Sequence, residues 1–251
     1  MRLRIQVWRQ SPIDNGHWET HDLNDLSPGM SILEVLDRLN ELLVAQGDEA
    51  IAFDSDCREG ICGACGITVD GQAHGATANE PSCHQRLWSY QDGQTVRLEP
   101  LRAGPFPVLR DLMVDRQALD VMIMAGGFVS VNAGAAPESN DLPVGHDTVE
   151  DALDFAACIG CGACVAACPN GSANLFLGAK LRHLSELPLP SLERDRRAKE
   201  MVATADRVFG PCSNYGECAI ACPAGIPLAA VSQVNRERLR AAFRSLRKVR
   251  K

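Results

Sequence analysis

The spacing of the eleven cysteines constrains this 251-residue chain more than any other feature of it. Cys57, Cys62 and Cys65 are separated by four and then two residues, and Cys83 lies downstream. A four-then-two spacing with a distant fourth cysteine is the plant-type [2Fe–2S] pattern, in which a tight loop aims three thiolates at one cluster and a separate segment supplies the fourth. Gly60, Gly63 and Gly66 suit such a loop, which needs positive φ angles and backbone N–H groups directed at sulfides. Zinc is the alternative, but structural zinc sites use two short cysteine pairs.

A second group, Cys158, Cys161, Cys164 and Cys168 followed by Pro169, has the spacing of the bacterial cluster run, whose fourth cysteine serves a different cluster from the first three. A partner run is therefore required, and Cys212, Cys218 and Cys222-Pro223 supply it. In the same frame Tyr215 occupies the place of the missing cysteine. Exchange of ligands as in two-cluster ferredoxins gives Cys158, Cys161, Cys164 and Cys222 to a [4Fe–4S] cluster, and leaves Cys168, Cys212 and Cys218. Three thiolates suit [3Fe–4S]; the alternative is a complete cube with Tyr215 packed over it and a water or other ligand on the fourth iron. The first assignment uses every cysteine.

The composition, 45% hydrophobic and 23% charged, is that of a soluble globular protein. No run of about 18 apolar residues marks a membrane span, and the first residues lack a secretory pattern. Repeated Cys-x-x-Cys motifs place the thiols in a reducing cytoplasm. Net charge is −7, yet Arg236 to Lys251 hold eight basic residues and one acid, Glu237. This tail has two readings: a solvated helix end, or a contact with an anionic membrane surface or a partner subunit. Nucleic-acid binding is disfavoured by the acidity of the remainder.

Alternation at Leu3, Ile5 and Val7 predicts an opening strand. Ser31 and Glu34 form a capping-box pattern ahead of Ile32, Val35, Leu36, Leu39 and Leu43, which predicts a helix over 31–44. Ile67 to Val69, an Asp70-Gly71 turn and Thr95 to Leu98 add strands. Gly-Pro-Phe-Pro at 104–107 breaks the periodicity, so two domains are expected, 1–104 and 105–251. In the second, helices are expected over Leu109 to Met124, after a Thr148 cap with Asp151, over Asp195 to Thr204 and over Leu228 to Leu246. A surface loop is expected from Gly126 to Gly145. The fold class is thus α+β, a ferredoxin-like first domain followed by a mainly helical one, and the chain shows no nucleophile, general base or phosphate loop.

Through Cys57-Arg58-Glu59-Gly60-Ile61-Cys62-Gly63 and the runs ending Cys168-Pro169 and Cys222-Pro223, the chain resembles, nearly end to end, the iron–sulfur subunits of succinate dehydrogenases and fumarate reductases. The resemblance implies a β-grasp [2Fe–2S] domain and a helical bacterial-ferredoxin-like domain with [4Fe–4S] and [3Fe–4S] clusters. It further implies electron transfer between the FAD of a flavoprotein subunit and a membrane quinone, with anchor subunits on the cytoplasmic face of a bacterial membrane. A quinol:fumarate reductase and a stand-alone multi-cluster ferredoxin are the alternatives. The long interval from Cys65 to Cys83, with Gly71 to Gly75, is similar to menaquinone-linked members. Where some ubiquinone-using members carry Trp and His, this chain has Ala173 and Ser213, so of the quinone contacts only Pro169 carries over. His84 is given no role, and Arg58 and Glu59 are read either as flavoprotein contacts or as a solvated pair.

Overall fold

The computed structural model describes residues 1–128, 138–140, 142–186 and 189–249, with backbone alone over 241–249. Strand β1 (Leu3–Arg9) alternates as expected, burying Leu3, Ile5, Val7 and Arg9 on one face. It pairs antiparallel with β2 (His17–Leu23) and parallel with β5 (Thr95–Pro100). Antiparallel pairing of β5 with β3 (Ile67–Val69), and of β3 with β4 (Gln72–Ala73), completes a five-stranded sheet in the order β2-β1-β5-β3-β4. The β3–β4 turn places Asp70 at φ 49° and Gly71 at φ 80°, and a two-residue turn with both φ angles positive matches the twist of the strands it joins.

Helix α1 (Ile32–Gln46) covers the sheet. The capping box forms: Ser31 Oγ accepts from Glu34 N at 3.3 Å, and Ser31 N donates to Glu34 Oε2 at 2.6 Å. Ile32, Leu33, Val35, Leu36, Leu39 and Leu43 are buried against Ile5, Val7, Val96 and Leu98. At 20–33 cal/mol per Å² of apolar surface, such side chains contribute about 1.5–3 kcal/mol each.

The single helix expected over Leu109 to Met124 does not form. Strands β6 (Val108–Arg110) and β7 (Met113–Val114) make a hairpin, and only α2 (Gln117–Met122) is α-helical. The cause is Asp111, which is buried at φ 46°. Its carboxylate accepts from Gln10 N at 3.0 Å and Ala52 N at 2.8 Å and meets Arg9 Nη1 at 3.3 Å. A residue tied down in the left-handed region cannot sit inside a right-handed helix. Leu112 joins the first core, whereas Phe106 and Val114 join the second, so this segment stitches the domains together.

The second half contains α3 (His146–Ala156), α4 (Ala163–Ala166), α5 (Asn174–Glu186), α6 (Ser191–Val208), α7 (Glu217–Ile220) and α8 (Ala230–Val249). Helix α5 is its centre and packs on α3, α6 and α8. A Cβ at Gly178 would collide with the Ala230 carbonyl, so glycine is what lets α5 and α8 approach. Helix α3 begins two residues before Thr148, because the Gly145 carbonyl already accepts from Thr148 N and Val149 N. The expected Thr148 cap is therefore absent, and Asp151 instead pairs with Arg182 of α5 at 2.7 Å. Helix α6 extends the expected Asp195 to Thr204 segment at both ends, and α8 starts at Ala230 rather than Leu228. Of the expected loop from Gly126, Gly126 and Gly127 are buried against Arg197 and Met201, while 129–137 and 141 lie outside the described residues. Arg250 and Lys251 of the basic tail also lie outside them. Among the described residues no helix is long and apolar enough to cross a membrane.

Candidate metal centres

The loop carrying Cys57, Cys62 and Cys65 precedes β3, and Cys83 reaches it from the segment after β4. Gly60 and Gly63 adopt φ 74° and 71°, which turns backbone donors inward. Glu59 N donates to Cys57 Sγ at 3.3 Å, and Ala64 N donates to Cys62 Sγ at 3.4 Å. With the N–H groups of Glu59 and Ile61 directed at it, Cys57 is brought down to about 7, a thiol ready to ionise. The thiols of Cys57 and Cys62 lie side by side, as do those of Cys65 and Cys83, and Cys65 is within electrostatic reach of Cys62. Cys65 and Cys83 are buried, and burial pushes Cys65 up to about 12; Cys62 is exposed.

The second and third groups are built by α4, α7 and the loops around them. One cavity is walled by Cys158, Cys161, Cys164 and Cys222, together with Phe176 and Ile226. Its thiols lie in apolar surroundings: burial raises Cys158, pushes Cys161 to about 12 and lifts Cys164 well above the ordinary thiol range. Thiols held this far from ionisation are inert until a bound cation removes the proton. A neighbouring cavity is walled by Cys168, Cys212 and Cys218, with Tyr215, Pro169 and Asn174. The two are adjacent, since Cys164 lies within electrostatic reach of Cys218.

These donor sets fit iron–sulfur clusters. Among the described residues no three His, Cys, Asp or Glu side chains converge on a single metal position, as four-coordinate zinc would require. Thiols ringing a cavity suit a polynuclear core instead. Asn174 adds an independent sign: it is 5% exposed, its Nδ2 has no partner, and it lines the third cavity, where a cluster sulfide would accept from it. Tyr215 is 62% exposed at the rim of the same cavity.

Other side chains hold these sites in place, and two of them, Asn170 and Arg116, carry no signature in the sequence. Arg58 forms a forked ion pair with Asp37, its Nη2 donating at 2.9 Å, and ties the first cysteine loop to α1. Asn170 Nδ2 donates to Pro211 O at 2.9 Å and Ser213 Oγ at 2.8 Å, clamping the two runs beside the third cavity. Arg116 bonds carbonyls of both the first and the second cysteine loop. His84 packs against Gly60.

Comparison with known proteins agrees with this geometry. Residues 4–120 match the model of a 2Fe-2S iron-sulfur cluster binding domain, and residues 157–226 that of a 4Fe-4S dicluster domain. The chain is 25% identical to the succinate dehydrogenase iron-sulfur subunit of Bacillus subtilis, over 97% of its own length and 95% of that protein's. It is 34% identical to the fumarate reductase iron-sulfur subunit of Mycobacterium tuberculosis, over 80% and 78%. Its fold is similar to that of a chain in the Mycobacterium smegmatis Sdh1 complex in the apo form, with a TM-score of 0.69, 20% identity and coverage of 97% and 96%.

Proposed function

The chain belongs to the family of iron–sulfur electron-transfer subunits of succinate dehydrogenases and fumarate reductases, and from that premise we propose how its residues divide the work. Cys57, Cys62, Cys65 and Cys83 hold [2Fe–2S]; Cys158, Cys161, Cys164 and Cys222 hold [4Fe–4S]; Cys168, Cys212 and Cys218 hold [3Fe–4S]. When bound, the clusters supply reversible one-electron chemistry, and the protein supplies position, donors and exclusion of water. We read residues 1–104 as a β-grasp domain, which the mixed sheet crossed by α1 supports, and 105–251 as a bacterial-ferredoxin-like domain.

The observation that carries this reading is how exposure is graded along the three thiol groups. The first has an exposed thiol, Cys62; three of the four in the second are buried; all three in the third are half-exposed. A relay between two partners needs open ends and a sealed middle. The first end is proposed to face an FAD-bearing flavoprotein subunit. The third, with Pro169 and Tyr215 at its rim, is proposed to face a membrane anchor and a quinone, menaquinone in the first instance, on the cytoplasmic side of the membrane. Succinate oxidation is the leading direction; the higher identity to a fumarate reductase subunit favours the reverse as a second reading.

Low-temperature EPR on anaerobically purified protein, reduced in steps with iron and sulfide counted, tests the assignment. Expected are a near-isotropic signal when oxidised, a rhombic signal on reduction and about nine irons per chain. About ten irons without the oxidised signal would overturn the three-iron site, and purification as a lone soluble monomer would overturn the complex.

A further inference from the structure

Arg116 stands immediately ahead of α2, at the joint between the two domains. Its Nη1 donates to the Gly63 carbonyl and, at 3.1 Å, to the Cys161 carbonyl; its Nη2 donates to the Ala64 carbonyl at 3.4 Å. Gly63 and Ala64 are the two residues between Cys62 and Cys65, and Cys161 belongs to the second group. One guanidinium therefore grips both cysteine loops by their main chains. It does so where the loops already touch: a Cβ at Gly63 would strike the Ile159 carbonyl and lie 3.1 Å from Cys161 N.

The charge of this side chain is not matched locally. Among the described residues no carboxylate lies within ion-pair distance of Arg116, although most arginines of the molecule have one. Its field reaches the buried His74 and the Cys161 thiol. A guanidinium stays protonated at any working pH, so the charge is a permanent fixture of the gap between the loops.

We propose that Arg116 is the positioning residue of the first inter-cluster gap, fixing the spacing of the two loops and, by its unpaired charge, raising the reduction potentials of both clusters bound there. This rests on the cluster assignment above. Adding an electron to either cluster adds negative charge beside the guanidinium, which attraction across a partly buried gap favours. The third site, bonded to Arg116 through none of its residues, is outside the effect. A neutral side chain here would make both neighbouring clusters harder to reduce, and a lysine would keep the charge while giving up the fork that spans two loops.

The test is an anaerobic redox titration followed by EPR on the intact complex carrying wild-type chain, Arg116→Gln or Arg116→Lys. Expected is a lowered midpoint for both the [2Fe–2S] and [4Fe–4S] signals in Arg116→Gln, an unmoved [3Fe–4S] midpoint, and values close to wild type in Arg116→Lys. Unmoved midpoints in an iron-replete Arg116→Gln protein would overturn the proposal. Should Arg116→Gln fail to retain iron, Arg116→Met, equally neutral, replaces it: lowered midpoints beside an unmoved Arg116→Lys support the charge, and unmoved midpoints overturn it. A wild-type protein without the two signals would refute the cluster assignment instead.

Discussion

His74 Nδ1 lies 3.2 Å from Ser82 N and 3.1 Å from Ser82 Oγ, in a site where neither residue is more than 1% exposed. Since the Ser82 amide can only donate, Nδ1 is an acceptor and the ring is held neutral. Burial, reinforced by Arg116, brings His74 down to about 4. The unfolded chain, with a histidine near 6.5, binds a proton that the folded chain refuses, so stability is full above about pH 6.5 and falls as pH drops toward 4. About 2 kcal/mol is lost by pH 5 through this residue. His74→Asn, which tolerates the φ of 69°, removes that loss. Unfolding midpoints measured at pH 7 and pH 5 check this, and parallel declines in the two proteins would refute it.

Gly63 and Gly71 share nearly the same backbone, φ 71° and 80°, but differ in surroundings: the first faces Ile159 and Cys161, and the second has nothing within 4 Å. Alanine at either position costs roughly 1–3 kcal/mol for the left-handed conformation. Gly63→Ala adds a backbone collision between the domains, so it destabilises more than Gly71→Ala. Anaerobic urea unfolding of the two variants measures the difference; equal losses would mean that the domains yield at this contact.

Tyr215→Cys restores a full cysteine run beside Cys212 and Cys218. The expected result is uptake of about one further iron per chain and loss of the oxidised three-iron EPR signal. A variant that keeps both its iron count and that signal would place Tyr215 outside the ligand frame.

Ser31→Ala deletes the hydroxyl that accepts from Glu34 N and leaves the start of α1 with an unpaired amide. The expected loss is about 1 kcal/mol. Ser31→Asp keeps a side-chain acceptor and retains most of the stability, and thermal denaturation of the two variants checks the order.

What was legible in the sequence follows the range over which each signal acts. Which thiols share a cavity was readable because ligand spacing is local: Cys57 to Cys65 and Cys158 to Cys164 are single loops, and the frame of the two runs puts Cys222 in the cavity of Cys158 and Cys168 in that of Cys212. Helix α1 was readable from its capping box and one apolar face. Helix α5 was not, because eight of its thirteen residues are buried and an element apolar on most faces loses its period. The segment 109–124 was misread because Asp111 answers to Gln10 and Ala52, far away in sequence. Arg116 and Asn170 were invisible for the same reason: they bind mainly main-chain oxygens, which no residue pattern advertises.

The cavity holding Cys158, Cys161 and Cys164 is closed by Cys222, and this sets an order of birth. A chain growing on a ribosome has all four thiols of its first site once Cys83 is made, and the last strand and core residue of that domain once Leu112 is made, so the domain can fold while synthesis continues. The second cavity must wait for Cys222, by which time Cys168, Cys212 and Cys218 exist as well. The thiols of the two helical-domain sites are therefore completed within a few residues of each other, and a chain interrupted between residues 112 and 221 carries one complete set of thiols and an incomplete second set.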